Sequence, residues 1–196
     1  SNEPSIINDF TYNIDAPKQS ARHQKLTLRY FKSFENNTKL EFGYNFQKNK
    51  RKEFDIRRGG RTQIPVVDLL LKTHTLNGSL SGISIKDWNF ELGLNGFFPD
   101  NFSTPDTGVK RLIPDYIKYE TGIYFLGNFQ KNNSFLWEWG LRLDHVSYDS
   151  KKYYYKSNWN ERNYNILFQG FETGREFANQ ILTNPKFNYL NLSAQT

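Results

Sequence analysis

Residues 135–144 read FLWEWGLRLD. Phe135, Trp137, Trp139, Leu141 and Leu143 alternate with Leu136, Glu138, Gly140, Arg142 and Asp144. A period of two sends successive side chains to opposite sides of a strand, so this stretch predicts one apolar face and one polar face. The same rhythm recurs. Leu40, Phe42, Tyr44 and Phe46 alternate with Glu41, Gly43, Asn45 and Gln47. Trp88, Phe90, Leu92 and Leu94 alternate with Asn89, Glu91, Gly93 and Asn95. Ile117, Tyr119, Thr121, Ile123 and Phe125 alternate with Lys118, Glu120, Gly122 and Tyr124. Residues 25–34 alternate in part, with Leu26, Leu28 and Tyr30 on one side. Residues 68–84 are less regular, and a last strand begins near Phe187.

Short turns join these strands in pairs: Glu35-Asn36-Asn37-Thr38, Lys86-Asp87 and Lys131-Asn132-Asn133-Ser134. Asn and Asp suit such turns because they tolerate the left-handed region. Long connections cover about 48–67, 98–116 (with Pro99, Pro105 and Pro114) and 146–185. Strand, short turn, strand and long loop thus repeat three times before one more strand. The expectation is an all-β antiparallel meander of about seven long strands, with short turns at one end and long loops at the other. Residues 1–23 form a lead-in, partly loop, and 24–196 a single unit. Within the third connection, TGREFANQIL at 173–182 has the spacing of a short helix, with Phe177 and Ile181 one turn apart.

A soluble core and a lipid bilayer would both write such an apolar face. Connections in compact soluble domains mostly run about 4–6 residues. Outer-membrane barrels instead combine short periplasmic turns with long extracellular loops. Their tilted spans need about 9–11 residues. Gly43, Gly93, Gly122 and Gly140 all fall on the polar face. Glycine weakens a strand, but a barrel lumen that must hold other protein benefits from a small polar lining.

Composition sharpens this picture. Hydrophobic residues make up only 37% of the chain, below the roughly 45–50% of ordinary domains. Aromatic residues reach 17%, with 17 Phe, 12 Tyr and 4 Trp. Aromatic-rich and aliphatic-poor is a composition of strands. Cysteine is absent, which excludes disulfides and thiolate chemistry. The net charge of +6 is scattered. The run Lys48-Asn49-Lys50-Arg51-Lys52 reads as a solvated basic loop rather than a nucleic-acid site. No run of about 18 apolar residues offers a transmembrane helix. Ser1-Asn2 has the look of a cleaved tag, and the alternation continues to the other end, which suggests a piece of a longer chain.

Enzyme signatures are lacking. His23, His74 and His145 lie far apart and read as ordinary strand or loop residues. Gly59-Gly60 lacks a P-loop frame, and no nucleophile elbow occurs. Asp144 and His145 face opposite sides of one strand. The polar group of most interest is Arg57, Arg58 and Arg61. Guanidinium forks there suit an anionic ligand; the favoured reading pairs them with Glu53, Asp55 and Asp68 to shape the loop.

Several segments resemble TonB-dependent outer-membrane receptors of the Bacteroidetes. They are EFDIRRGGR at 53–61 with Ile64-Pro65 and Val67-Asp68-Leu69, TGVKRLIPDY at 107–116, WGLRLDHV at 139–146, and Asn184-Pro185-Lys186-Phe187 with Asn191-Leu192-Ser193. The resemblance covers most of the chain from about Gln24. It implies a wall segment of a 22-stranded barrel in the bacterial outer membrane, closed in the whole receptor by an N-terminal plug. Such receptors import iron chelates, haem, cobalamin or glycans. This chain carries no plug and no TonB box, so any contact with TonB would pass through a plug domain outside it. The implied function is transport, with no enzyme activity, no cofactor and no nucleic-acid partner. The implied partners are outer-membrane lipid and a small ligand such as a metal chelate. On this reading Phe135, Trp137, Trp139, Leu141 and Leu143 face lipid, and Arg57, Arg58, Arg61, Lys110 and Arg111 are ligand-facing loop residues. The alternative is a soluble all-β surface binding module of glycan or adhesin type, its apolar face an ordinary core.

Overall fold

The computed structural model describes residues 15–107, 113–131, 135–155, 180–183 and 186–196. They form strands β1 (Lys18–Ser33), β2 (Lys39–Phe54), β3 (Val67–Ile85), β4 (Trp88–Ser103), β5 (Asp115–Lys131), β6 (Phe135–Tyr155), β7 (Gln180–Thr183) and β8 (Lys186–Gln195). Each pairs antiparallel with the next from β1 to β6. Both β7 and β8 pair with β6, in one continuous register: Lys152 faces Thr183 and Asp149 faces Lys186. They are therefore two stretches of a single seventh line, and the sheet is an open meander of seven lines. The described residues hold no α-helix, only 3-10 turns at Arg61–Gln63 and Pro105–Thr107. Of the helix expected at 173–182, Gln180, Ile181 and Leu182 lie in β7; its other residues lie outside the described set.

Local chemistry explains the turns. The Phe34 carbonyl accepts from Asn37 N–H at 3.1 Å, and Phe34 N–H donates to the Thr38 carbonyl at 2.8 Å. Asn37 takes φ 63, the left-handed residue that follows the first turn of such a hairpin. Between β3 and β4 the two-residue turn sets Lys86 at φ 55. The irregularity of 68–84 has a cause: the pairing with β4 shifts between Leu80 and Ile83. Gly82 occupies this bulge at φ +72, and a Cβ there would lie 2.5 Å from the Asn37 carbonyl oxygen. Only glycine combines that φ with that approach. The bulge switches the apolar positions of β3 from even to odd numbers, which hides the alternation.

The strands outrun the sequence expectation. β2 continues to Phe54, β4 to Ser103 and β6 to Tyr155. The gaps between strands are correspondingly shorter: 55–66 separate β2 from β3, and 104–114 separate β4 from β5. The basic run Lys48–Lys52 lies inside β2, not in a loop. Likewise β1 begins at Lys18, within the expected lead-in. Alternation fades where apolar side chains end, whereas backbone pairing needs no apolar residue and continues beyond them.

One face of the sheet is an apolar band. Register rows include Leu40–Leu80–Leu92–Phe125–Leu141 and Phe42–Gly78–Leu94–Ile123–Leu143–Leu192. At the short-turn end it closes with Ile85–Trp88–Phe129–Trp137. There Trp88 meets Phe129 at 4.9 Å and Trp137 at 5.8 Å between ring centroids. Trp139 meets Phe125 at 5.2 Å and lies over Gly127, where a Cβ would come within 2.5 Å of the indole. Toward the loops the band ends in Tyr44, Phe46, His74, Phe98 and Tyr119, with the Tyr44 hydroxyl 2.8 Å from His74 Nδ1. Among the described residues no large side chain is fully buried. Leu92, Leu94, Ile123 and Leu141 are each about half exposed, at 49%, 49%, 56% and 46%. Substantial contacts run only between neighbouring strands. Among the described residues this single layer has no core.

Candidate functional site

The opposite face is polar, and its middle is occupied by a flat network. Glycine makes the network possible. Gly93 on β4 faces Tyr124 on β5, and a Cβ there would collide with the Tyr124 ring. Gly122 on β5 faces Asp144 on β6, and a Cβ there would meet Asp144, Asn95 and Arg142 together. Without those Cβ atoms, long side chains lie along the sheet. Arg142 donates from Nε to Asp144 Oδ2 at 2.7 Å, and from a terminal nitrogen to Asp144 Oδ1 at 2.6 Å and Asn95 Oδ1 at 2.9 Å. The Tyr124 hydroxyl donates to Glu91 Oε1 at 2.7 Å. The arginine is held by a two-pronged, charge-assisted contact, the strongest form such a pair takes. The network leaves no free nucleophile and base within reach of each other. Its chemistry is that of a fixed polar surface.

Nearer the loops the same face turns aromatic. Tyr116 and Tyr148 stack at 5.2 Å between centroids, Tyr148 meets Phe187 at 6.4 Å, and Phe187 stacks on Tyr189 at 6.3 Å. Phe187 and Tyr189 are exposed, at 43% and 58%. Beside them Lys118 Nζ lies 5.6 Å from the Phe97 ring centre and 2.6 Å from Glu120 Oε2. Planar rings flanked by polar groups can stack a flat or ring-bearing ligand. Most of this patch escapes the sequence reading. Tyr148 lies in a segment read as loop, and Phe187 and Tyr189 join it only through the register of β8 on β6.

The five loop residues divide. Arg57 is half-buried and donates to the Thr107 carbonyl at 3.0 Å, tying the β2–β3 connection to the β4–β5 connection. Arg58 and Arg61 are exposed around Gly59 and Gly60, both at φ 70. Lys110 and Arg111 lie outside the described residues. The expected pairing of these arginines with Glu53, Asp55 and Asp68 does not form. Glu53 pairs with Arg51, Asp68 with Lys52 at 3.6 Å, and the Asp55 carboxylate accepts from Ile56 N–H at 2.8 Å. Glu53 lies within β2 and Asp68 within β3, so their nearest cations sit along or across the strands, Arg51 two residues back and Lys52 opposite; Asp55, just past β2, is satisfied by the backbone. Arg57 still shapes the loop, through a carbonyl rather than a carboxylate.

The five apolar residues of 135–143 share the face of the band. Phe135, Trp137, Leu141 and Leu143 are exposed, and Trp139 is half-buried. His23, His74 and His145 stay apart, and the described residues contain no group of His, Cys, Asp and Glu fit to hold a metal. His145 and Asp144 point to opposite faces: His145 lies across from Leu190, and Asp144 contacts Arg142.

Fold and site together define an all-β protein built on one open antiparallel meander, apolar on one face and polar on the other. Comparison with protein-family models, curated proteins and solved structures found no match for this chain.

Proposed function

We propose that this chain forms barrel wall and outer loops of a TonB-dependent outer-membrane receptor, importing a scarce ligand such as an iron chelate, haem or cobalamin. The observation that carries the proposal is the uncovered apolar band. Seven lines of strand present it, and nothing among the described residues packs over it. A half-exposed leucine or isoleucine is tolerable singly; a contiguous sheet of them calls for a cover. The band also has the dimensions of a membrane. From Trp88 to Phe98, about ten residues of β4 span roughly 33 Å. At a barrel tilt of about 45° this projects to roughly 23 Å, against an apolar band of about 25 Å in outer-membrane barrels. Aromatic residues flank it at both ends, as interfacial girdles do.

In this reading the Gly-rich polar face lines the lumen. The Tyr116–Tyr148–Phe187–Tyr189 patch and the arginines at 57, 58 and 61 then stand on the ligand's way in. Binding and passage are the work of the chain, and the strands carry no catalytic chemistry. The soluble binding module needs instead a protein layer over the band. Cell fractionation of the intact gene product tests the choice. The expected result is retention in the outer-membrane pellet through carbonate and urea washing. Recovery in the soluble fraction without detergent rules the transporter out.

A further inference from the structure

Six cations crowd one corner of the apolar face, just beyond the loop-side end of the band. Lys18 and Arg22 on β1, Lys48, Lys50 and Lys52 on β2, and Lys72 on β3 all share the side of Leu26, Phe46 and His74. Arg22 faces Lys50 directly, and Lys48 faces Lys72. Directly opposed side chains start about 5 Å apart, and like charges so placed destabilise a sheet. Two acids share this corner: Asp68 pairs with Lys52 at 3.6 Å, and Asp100 faces Lys72 in the register of β3 on β4, so six cations less two carboxylates leave an excess of four positive charges. Lys18 lies 5.5 Å from the centre of the Phe54 ring. On the far half of the same face, charge at this level is balanced: Lys186 pairs with Asp149 at 3.4 Å. On the polar face at the same level, Arg51 pairs with Glu53. The excess is local to one corner of one face.

We infer that this corner binds the phosphate headgroup of a membrane lipid whose acyl chains lie on the adjoining band. The inference rests on the outer-membrane reading. A headgroup phosphate relieves both like-charge pairs, and its chains cover the exposed Leu26, Leu28 and Tyr30. Charge and apolar area thus ask for one amphiphile rather than two ligands. Basic clusters at a membrane boundary attract anionic lipid, each Lys or Arg adding its own increment.

The test uses the intact gene product purified from outer membranes in zwitterionic detergent. Lipid A, phosphatidylcholine and inorganic phosphate are titrated against it and against the combined Arg22→Gln, Lys48→Gln and Lys50→Gln variant. A Lys25→Gln, Arg29→Gln variant removes charge from the opposite face as a control. Heat-modifiable gel mobility verifies that each variant is folded. We expect lipid A to bind the wild type and the control alike, and the triple variant at least about tenfold more weakly. Phosphatidylcholine and inorganic phosphate bind neither. Unchanged lipid A affinity in a folded, membrane-integral triple variant overturns the headgroup site and leaves the transporter reading standing. Phosphate binding as tight as lipid A overturns the lipid assignment. A gene product that is soluble without detergent overturns both readings.

Discussion

The two faces of this sheet solve different problems with the same backbone. The apolar face is made mostly of large side chains, many of them half exposed, with Gly127 letting the Trp139 ring lie down at one point. The polar face is made of glycines that let neighbours lie down, so that Arg142 and Tyr124 bond along the sheet. The exposed apolar residues of one face demand a partner. In the middle of the other, glycines let polar side chains satisfy one another. The asymmetry means that substitutions of equal size should have very unequal effects on the two sides.

The largest effect is expected at the middle of the band. Leu94→Arg or Ile123→Arg should cost about 2–4 kcal/mol if that face meets hydrocarbon, and little if it meets water. Heat-modifiable mobility of membrane-inserted protein gives the folded fraction; a neutral result at both positions would break the comparison. Next comes Gly93→Val, which drives a branched side chain into the Tyr124 ring. Overpacking of this kind costs about 1–3 kcal/mol. The denaturation midpoint should fall, and Tyr124→Ala should restore part of it in the double variant. If the double variant is worse than the sum of its parts, the ring is not what Gly93 makes room for. Asp144→Ala comes third. Its partner Arg142 is partly exposed, at 39% for the side chain, so solvent screening holds the loss near 1 kcal/mol or below. The same midpoint assay should show it, with Asn95→Ala adding less than its separate cost. Smallest is Arg57→Ala, which removes one charge-assisted bond to the Thr107 carbonyl. We expect stability to change by about 1 kcal/mol or less, with faster limited proteolysis within 55–66. An unchanged cleavage rate there would show that the two connections are held together by other contacts.

Much of this arrangement was legible in the sequence. Alternation in β2, β4, β5 and β6 assigned both faces, because side-chain direction follows from strand periodicity alone. Asn36-Asn37 and Lys86-Asp87 announced their turns. Strand ends were not legible: past Phe46 the residues are polar on both faces, and the pairing that continues there leaves no mark in hydropathy. β3 blurred because the Gly82 bulge shifts its parity by one. The arginine loop was half legible. Its role in holding the loop was foreseen, but the Thr107 carbonyl as partner depends on how two distant connections approach. The aromatic patch was the least visible. Tyr116, Tyr148 and Phe187 come together only across three strands, and register between strands is a long-range property.

The number of lines in the sheet carries its own consequence. Seven is odd, so β1 and β8 run in the same direction. A cylinder in which every neighbour is antiparallel contains an even number of strands. Joining β1 to β8 would force one parallel seam in a single closed copy, and one at every junction in a ring of copies. An antiparallel cylinder built on this sheet must therefore add an odd number of strands. Parity sets that count without reference to ligand, lipid or sequence.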